Sequence, residues 1–247
     1  METINEYTFK PGFRSSFSTG WNVMMDNFLR LFLVIIVLAI VTAPFKMFNW
    51  KIDPSDFQGG PWAWGGDWDH NLLNIGALGV FAVFFGFLAI LYVFLVAPVF
   101  KYGGDMIFVQ AVRKVKPDFE YLIKGFMENY LHIVLANLLV TALVILGLFA
   151  LLIPGIIIGC RLVFVSFIVM DKKLDAIEAV ELSWKLTRGH GWKIFLMGIS
   201  SFFILIFGLI LLIVGIFPAV IWIRSSFATL YESALREKDK SAAAVVA

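Results

Sequence analysis

The chain's 247 residues are 60% hydrophobic and only 15% charged, with a mean hydropathy of +0.88, whereas a water-soluble domain is about 45–50% apolar and about 25% charged; this composition is that of an integral membrane protein. A net charge of +2 excludes the bulk basic character of a nucleic-acid binder, so information lies in where the charges sit. The single cysteine, Cys160, excludes a disulfide framework.

Residues 1–30 begin METINEYTFKPGFRSSF and lack an apolar core directly after a basic start, so no cleavable signal peptide is expected. Phe13, Phe17, Trp21, Met24 and Phe28 recur at spacings of three and four, which predicts an amphipathic helix. Crossing a roughly 30 Å hydrocarbon core takes about 20 apolar residues, and four blocks qualify: 31–48, 75–100, 131–170 and 194–235. The last two are about twice the needed length. Each is broken near its middle, by Pro154-Gly155 and by Gly215 with Pro218. Proline is tolerated in a helix's first turn and not in its interior, so each proline is expected to begin a returning helix.

Six spans result, near 31–48, 75–99, 131–152, 156–170, 194–214 and 218–235, within a membrane domain 31–235 followed by a polar-to-Ala tail 236–247. With six spans, 16 of the 20 Lys and Arg residues fall on one side, and the positive-inside rule places both termini in the cytoplasm. The loop at 51–74 then lies outside. Its Trp62, Trp64 and Trp68 suit headgroup depth, while Asp67, Asp69 and His70 are too few and too loosely spaced to predict a metal site.

The spans pair as three hairpins that resemble copies of one unit. NFLRLFL (27–33), NYLHIVL (129–135) and HGWKIFL (190–196) align, so that Arg30, His132 and Lys193 become equivalent and Trp21 meets Trp184. An amphipathic segment precedes each hairpin; the second carries Phe119, Leu122, Ile123 and Phe126, the third Leu174, Ile177, Val180 and Trp184. Such segments either lie in the cytoplasmic interface, apolar face down, or pack on one another as a small cap. The expected fold is therefore all-α: six transmembrane helices in three hairpins, each preceded by a cytoplasmic amphipathic helix.

From about Phe17 to Leu235 the order of features resembles a large uncharacterised family of six-helix bacterial membrane proteins, related to the membrane domain attached to some glycerophosphoryl diester phosphodiesterases. The most specific residues are Ile153, Pro154, Gly155, Asp171, Ala179, Ser183 and Gly189. The resemblance implies an architecture and a bacterial inner membrane, and no activity or catalytic residue. The phosphodiesterases add a soluble catalytic domain for which this chain has no room, and the Trp-rich loop departs from the family pattern.

Arg161 and Arg224 are the sharpest candidates for function. They follow Pro154 and Pro218 by seven and six residues, roughly 9–10 Å along their helices at 1.5 Å per residue. An arginine at that depth is costly and usually faces a bundle interior or a wet cavity. Three roles stay open: one shared clamp for an anionic group such as a lipid phosphate, snorkelling to the outer headgroups, or internal pairing. Asn137 and Thr141, four apart, are placed to hydrogen-bond across the bundle toward Arg161 or to act as interhelical glue. Gly155 and Gly159 form a GxxxG suited to close helix approach. No HExxH, GxSxG, CxxC or phosphate-cradling loop occurs. The expectation is a non-enzymatic inner-membrane protein that handles or senses lipid or scaffolds partners at its cytoplasmic face, with no cofactor, metal or nucleic acid. A transporter or lipid translocator built on the threefold repeat, and a lipid-metabolism enzyme, are the alternatives.

Overall fold

The structure, a computed structural model, describes residues 11–47, 84–210 and 213–246; the Trp-rich loop with Asp67, Asp69 and His70 lies outside them. These residues form ten helices and no strand: α1 Phe13–Asp26, α2 Phe28–Met47, α3 Phe84–Val112, α4 Tyr121–Glu128, α5 Tyr130–Ala150, α6 Leu152–Arg161, α7 Val165–Lys172, α8 Ala176–Thr187, α9 Gly191–Ile210 and α10 Ile213–Val246. Four segments are long and apolar enough to cross a membrane: α3, α5, α9 and Ile153–Lys172, which joins α6 to α7. A fifth arises if α1 and α2, bent by 94° at Asn27, count as one.

Three times an amphipathic helix meets a long apolar one at a short break. Asn27, between α1 and α2, has φ −123° and ψ 19°. Asn129, between α4 and α5, has φ −132° and ψ 24°. Between α8 and α9 the break is longer and contains Gly189 at φ +82°, a left-handed conformation that glycine adopts at no steric cost. The residues aligned from sequence, Asn27, Asn129 and His190, all stand at these junctions.

Several expected boundaries move. The second span was expected to end at 99, but α3 continues to Val112, because Gly103 and Gly104 act as contact surfaces and not as breakers. A Cβ on Gly103 would lie 2.9 Å from Leu122 Cα, and one on Gly104 would lie 2.8 Å from a Leu38 methyl. Pro154 is the third residue of α6, as a first-turn proline should be, and the turn itself is made by extended Leu151 at φ −171° and ψ 152°. Pro218 does not begin a helix; it lies inside α10, a turn and a half past Ile213. The tail expected after 235 is helical through Val246. Leu162–Phe164 split the fourth expected span into α6 and α7.

The GxxxG expectation also changes. Gly159 has no neighbour within 4 Å of an added Cβ, whereas Gly147 on α5 meets Gly155 Cα at 3.0 Å. Close approach is therefore between Gly147 and Gly155, across the turn. Gly208 of α9 repeats it, its added Cβ lying 2.8 Å from the Gly215 carbonyl oxygen of α10.

Burial follows from these contacts. The core gathers Leu31, Val34, Ile107, Phe108, Ile133, Phe164, Ile168, Met197, Ile221 and Tyr231, from α2, α3, α5, α7, α9 and α10. The α5–α6 turn and the late part of α9 instead turn Phe149, Ile153, Phe203 and Ile210 outward. Large apolar side chains on the outside are what a lipid solvent permits and water does not.

The amphipathic helices pack on the bundle through their small residues. Helix α1 packs on α10 through Ser16, Thr19, Gly20 and Val23, with Phe17 and Met24 also buried, and leaves Trp21 and Met25 exposed. The Trp222 indole N–H donates to the Phe17 carbonyl at 2.9 Å. Helix α8 buries Ala179, Ser183, Leu186 and Thr187 and exposes Ile177 and Trp184. Small residues win the inward face because they let helix backbones come close; the bulky apolar residues are left for the surroundings.

Candidate functional site

Two polar sites tie α3 to α10. Arg224 Nη1 donates to Asp105 Oδ1 at 3.1 Å, and Arg113 Nε donates to Glu232 Oε2 at 2.8 Å. Both pairs join residues 119 apart, so the two helices run parallel in one register and the pairs stand eight residues, about 12 Å, apart. The charges are reversed between them: the acid is on α3 in the first pair and on α10 in the second.

The Arg113 end is a closed network. Its Nη1 and Nη2 donate to the two carboxylate oxygens of Asp171 at 2.5 and 2.9 Å, the fork-to-fork geometry arginine favours. Tyr231 donates its hydroxyl to Asp171 Oδ2 at 2.9 Å, and Arg236 Nε donates to Glu232 Oε1 at 2.8 Å. The Asp171 and Glu232 side chains are each only 6% exposed. Hydrogen bonding to Asp171 holds the Arg113 guanidinium still further up its high range, against the opposing effect of burial. With two cations facing two anions the network is satisfied internally, and it fastens α3, α7 and α10.

The Asp105 end is open. Two cavities, of about 690 and about 290 Å³, share Lys101, Asn137 and Arg224 on their walls. The larger is lined mainly by apolar residues of α2, α3 and α10, among them Ile35, Leu38, Phe94, Ile216 and Phe217, with Thr141 added from α5. The smaller reaches Tyr102, Asp105 and Ser166. Together they make one chamber, apolar for most of its length and cationic where the two parts meet. Lys101 is exposed there and, among the described residues, forms no ion pair. Arg224 also lies over the Phe108 ring at 5.9 Å.

Arg161 is elsewhere. It ends α6, and its backbone carbonyl accepts hydrogen bonds from the Ser183 and Thr187 hydroxyls of α8 at 2.7 and 3.5 Å. Its guanidinium lies over the Trp184 ring at 5.6 Å and lines a separate cavity with Ile157, Trp192 and Phe195. The two arginines, for which one shared clamp was among the three roles left open, are thus not brought together. Asn137 and Thr141, placed from sequence either toward Arg161 or as interhelical glue, line the chamber of Arg224. His132 pairs with Asp175 at 2.6 Å, and Lys193 donates to the Pro11 carbonyl at 2.9 Å, so both fasten helix ends.

Sequence reading missed Lys101, Asp105, Arg113, Tyr231 and Glu232. The signal was present as an acid and a base eight apart on one segment, Asp105 and Arg113, matched by a base and an acid eight apart on another, Arg224 and Glu232. It was hidden by ending the second span at 99, which left Asp105 and Arg113 outside it. The conspicuous motif residues also gain physical roles. Asp171 anchors the network, Ala179 and Ser183 are the buried face of α8, and Gly189 supplies the positive φ. Among the described residues no group of three His, Cys, Asp or Glu is placed to hold a metal ion.

Fold and sites define an all-helical chain with four to five helices fit to span a bilayer, which suggests a multi-pass membrane protein. No family model, curated protein or solved structure matches it.

Proposed function

We propose that this protein is a non-catalytic bacterial inner-membrane protein, crossing six times as three hairpins with both termini in the cytoplasm, and that it binds an anionic amphiphile in the Lys101–Arg224 chamber as a lipid-handling or lipid-sensing component. The observation that carries this is the chamber: about 690 Å³ in its larger part, apolar along its walls, with an unpaired lysine and an arginine where it meets the polar part. That volume lies within the roughly 300–1,000 Å³ of ordinary ligand pockets. The chemistry fits a negatively charged head on Lys101 and Arg224 and an acyl chain along Leu38, Phe94 and Phe217. Membership in the six-helix family related to the phosphodiesterase membrane domain remains part of the proposal, supported by the structural roles open to Asp171, Ser183 and Gly189. A lipid translocator using the same chamber is the second reading, favoured by Asp105, an acid within a candidate span.

Native mass spectrometry of protein purified from membranes tests the chamber. Lys101→Gln and Arg224→Gln are each expected to lower the retention of phosphatidylglycerol relative to phosphatidylcholine, and the double variant to lower it further. Unchanged retention in the double variant removes the reading.

A further inference from the structure

Arg161 poses a problem that Arg224 does not. An arginine keeps its charge in a protein, and a buried charge is costly unless paired. Arg224 has Asp105. Arg161, which is partly buried, has no carboxylate partner among the described residues, and its Nη1 is enclosed without a hydrogen bond. The Trp184 face at 5.6 Å supplies cation–π attraction of about 0.5–2 kcal/mol, and it offers no acceptor for the N–H groups. Arg161 itself lies within the segment Ile153–Lys172, apolar enough to span a membrane.

Beside this guanidinium is a cavity of about 360 Å³, walled by Ile153, Ile156, Ile157, Trp192 and Phe195 together with Arg161. No acidic side chain lines it. None of its residues belongs to the Lys101–Arg224 chamber, which touches α6 on the opposite side, at Gly159. The first residues of α9, Gly191 and Trp192, form one edge, where the leading amides of a helix have no intrahelical acceptor and add to the positive potential.

We propose that this cavity is a second anion site, in which a phosphate or similar oxyanion completes the charge of Arg161 and an attached apolar chain lies on Ile153, Ile156 and Phe195. A lipid headgroup and a free phosphate share the chemistry that Arg161 recognises. Ser183 and Thr187 position the site from behind, by holding the Arg161 carbonyl and so the end of α6. The site is independent of the chamber, and a background carrying both Lys101→Gln and Arg224→Gln keeps the two apart.

The test uses the full chain with Lys101→Gln and Arg224→Gln together, reconstituted in phosphatidylcholine nanodiscs and titrated either with phosphatidylglycerol or with inorganic phosphate while the melting temperature is followed. Phosphatidylglycerol is expected to stabilise this protein, and adding Arg161→Gln to weaken its apparent Kd by about 10–100-fold, the loss of one charged hydrogen-bonding partner. A response to phosphate that also needs Arg161 assigns the site to a soluble anion; a response to the lipid alone assigns it to the headgroup. Ile157→Glu covers the case in which Arg161→Gln does not fold. A glutamate four residues before Arg161 reaches the guanidinium along the helix, so this variant should melt higher without added anion and lose the anion response. Responses to both anions that are equal with and without Arg161, or a response that persists in Ile157→Glu, overturn the proposal. If the Lys101→Gln, Arg224→Gln protein responds as the wild type does and that response needs Arg161, the chamber reading fails and this one stands.

Discussion

Arg113 shows how much rests on single residues. Its three contacts neutralise Asp171 and Glu232, whose side chains are almost wholly buried. Removing one partner of a buried pair strands the other at a cost of about 3–5 kcal/mol. Arg113→Met should therefore lower the melting temperature and denaturant midpoint sharply in micelles, while Asp171→Asn in the Arg113→Met background should recover part of the loss, because one stranded charge is then gone. Additive losses in that double variant would show that the two side chains are not coupled. Gly147 is a second such position. Any side chain there meets Gly155 Cα at 3.0 Å and an Ile158 methyl at 2.8 Å, so α5 and α6 cannot keep their spacing.

At the scale of elements, α1 differs most from its sequence pattern. An amphipathic N-terminal segment reads as a surface anchor, yet its contact with α10 is the most extensive between any two helices described. Gly20 is the point of closest approach, since a Cβ there would lie 2.7 Å from Ser226 N and 2.8 Å from its Cα. Gly20→Val is expected to lift α1 from α10 and expose Ser225 and Ser226. Limited proteolysis should then cut between Asn27 and the N-terminus faster than in the wild type. An unchanged cleavage rate would mean that α1 is held from elsewhere, by Trp222 or by the Lys193–Pro11 hydrogen bond. The same reasoning separates Pro154 from Pro218. The first sits where the α6 N–H groups are free anyway, the second removes one hydrogen bond inside α10.

For the whole molecule the untested quantity is topology. Parallel α3 and α10, joined by two ion pairs at one offset, demand that both run in the same direction across a bilayer, as the proposed six-span arrangement requires of them. Single cysteines in a Cys160→Ala background check this in intact cells with an impermeant thiol reagent. Position 60 should label, and positions 115, 178 and 240 should not. Labelling at 115 with protection at 240 would place the ends of α3 and α10 on opposite faces, contrary to their parallel packing.

What the sequence determined alone is what hydrophobicity and backbone chemistry settle locally. Composition pointed to a membrane protein, the apolar blocks marked where the long helices lie though not where they end, Pro154 fell in a first turn, and the junction residues Asn27, Asn129 and His190 align in the sequence. Each depends on neighbours along the chain or on transfer into lipid, and both are readable from composition and spacing. The tertiary structure decided which arginine has a partner, which glycines touch, and which face of each amphipathic helix is inward. Arg161 and Arg224 look equivalent by distance from a proline, but they end on different walls because α6 stops at Arg161 itself and α10 continues for about six more turns past Arg224. Asp105 and Glu232 acquire meaning only when two helices far apart in sequence come to lie parallel, a relation fixed by side-chain packing between helices and by no local pattern within either.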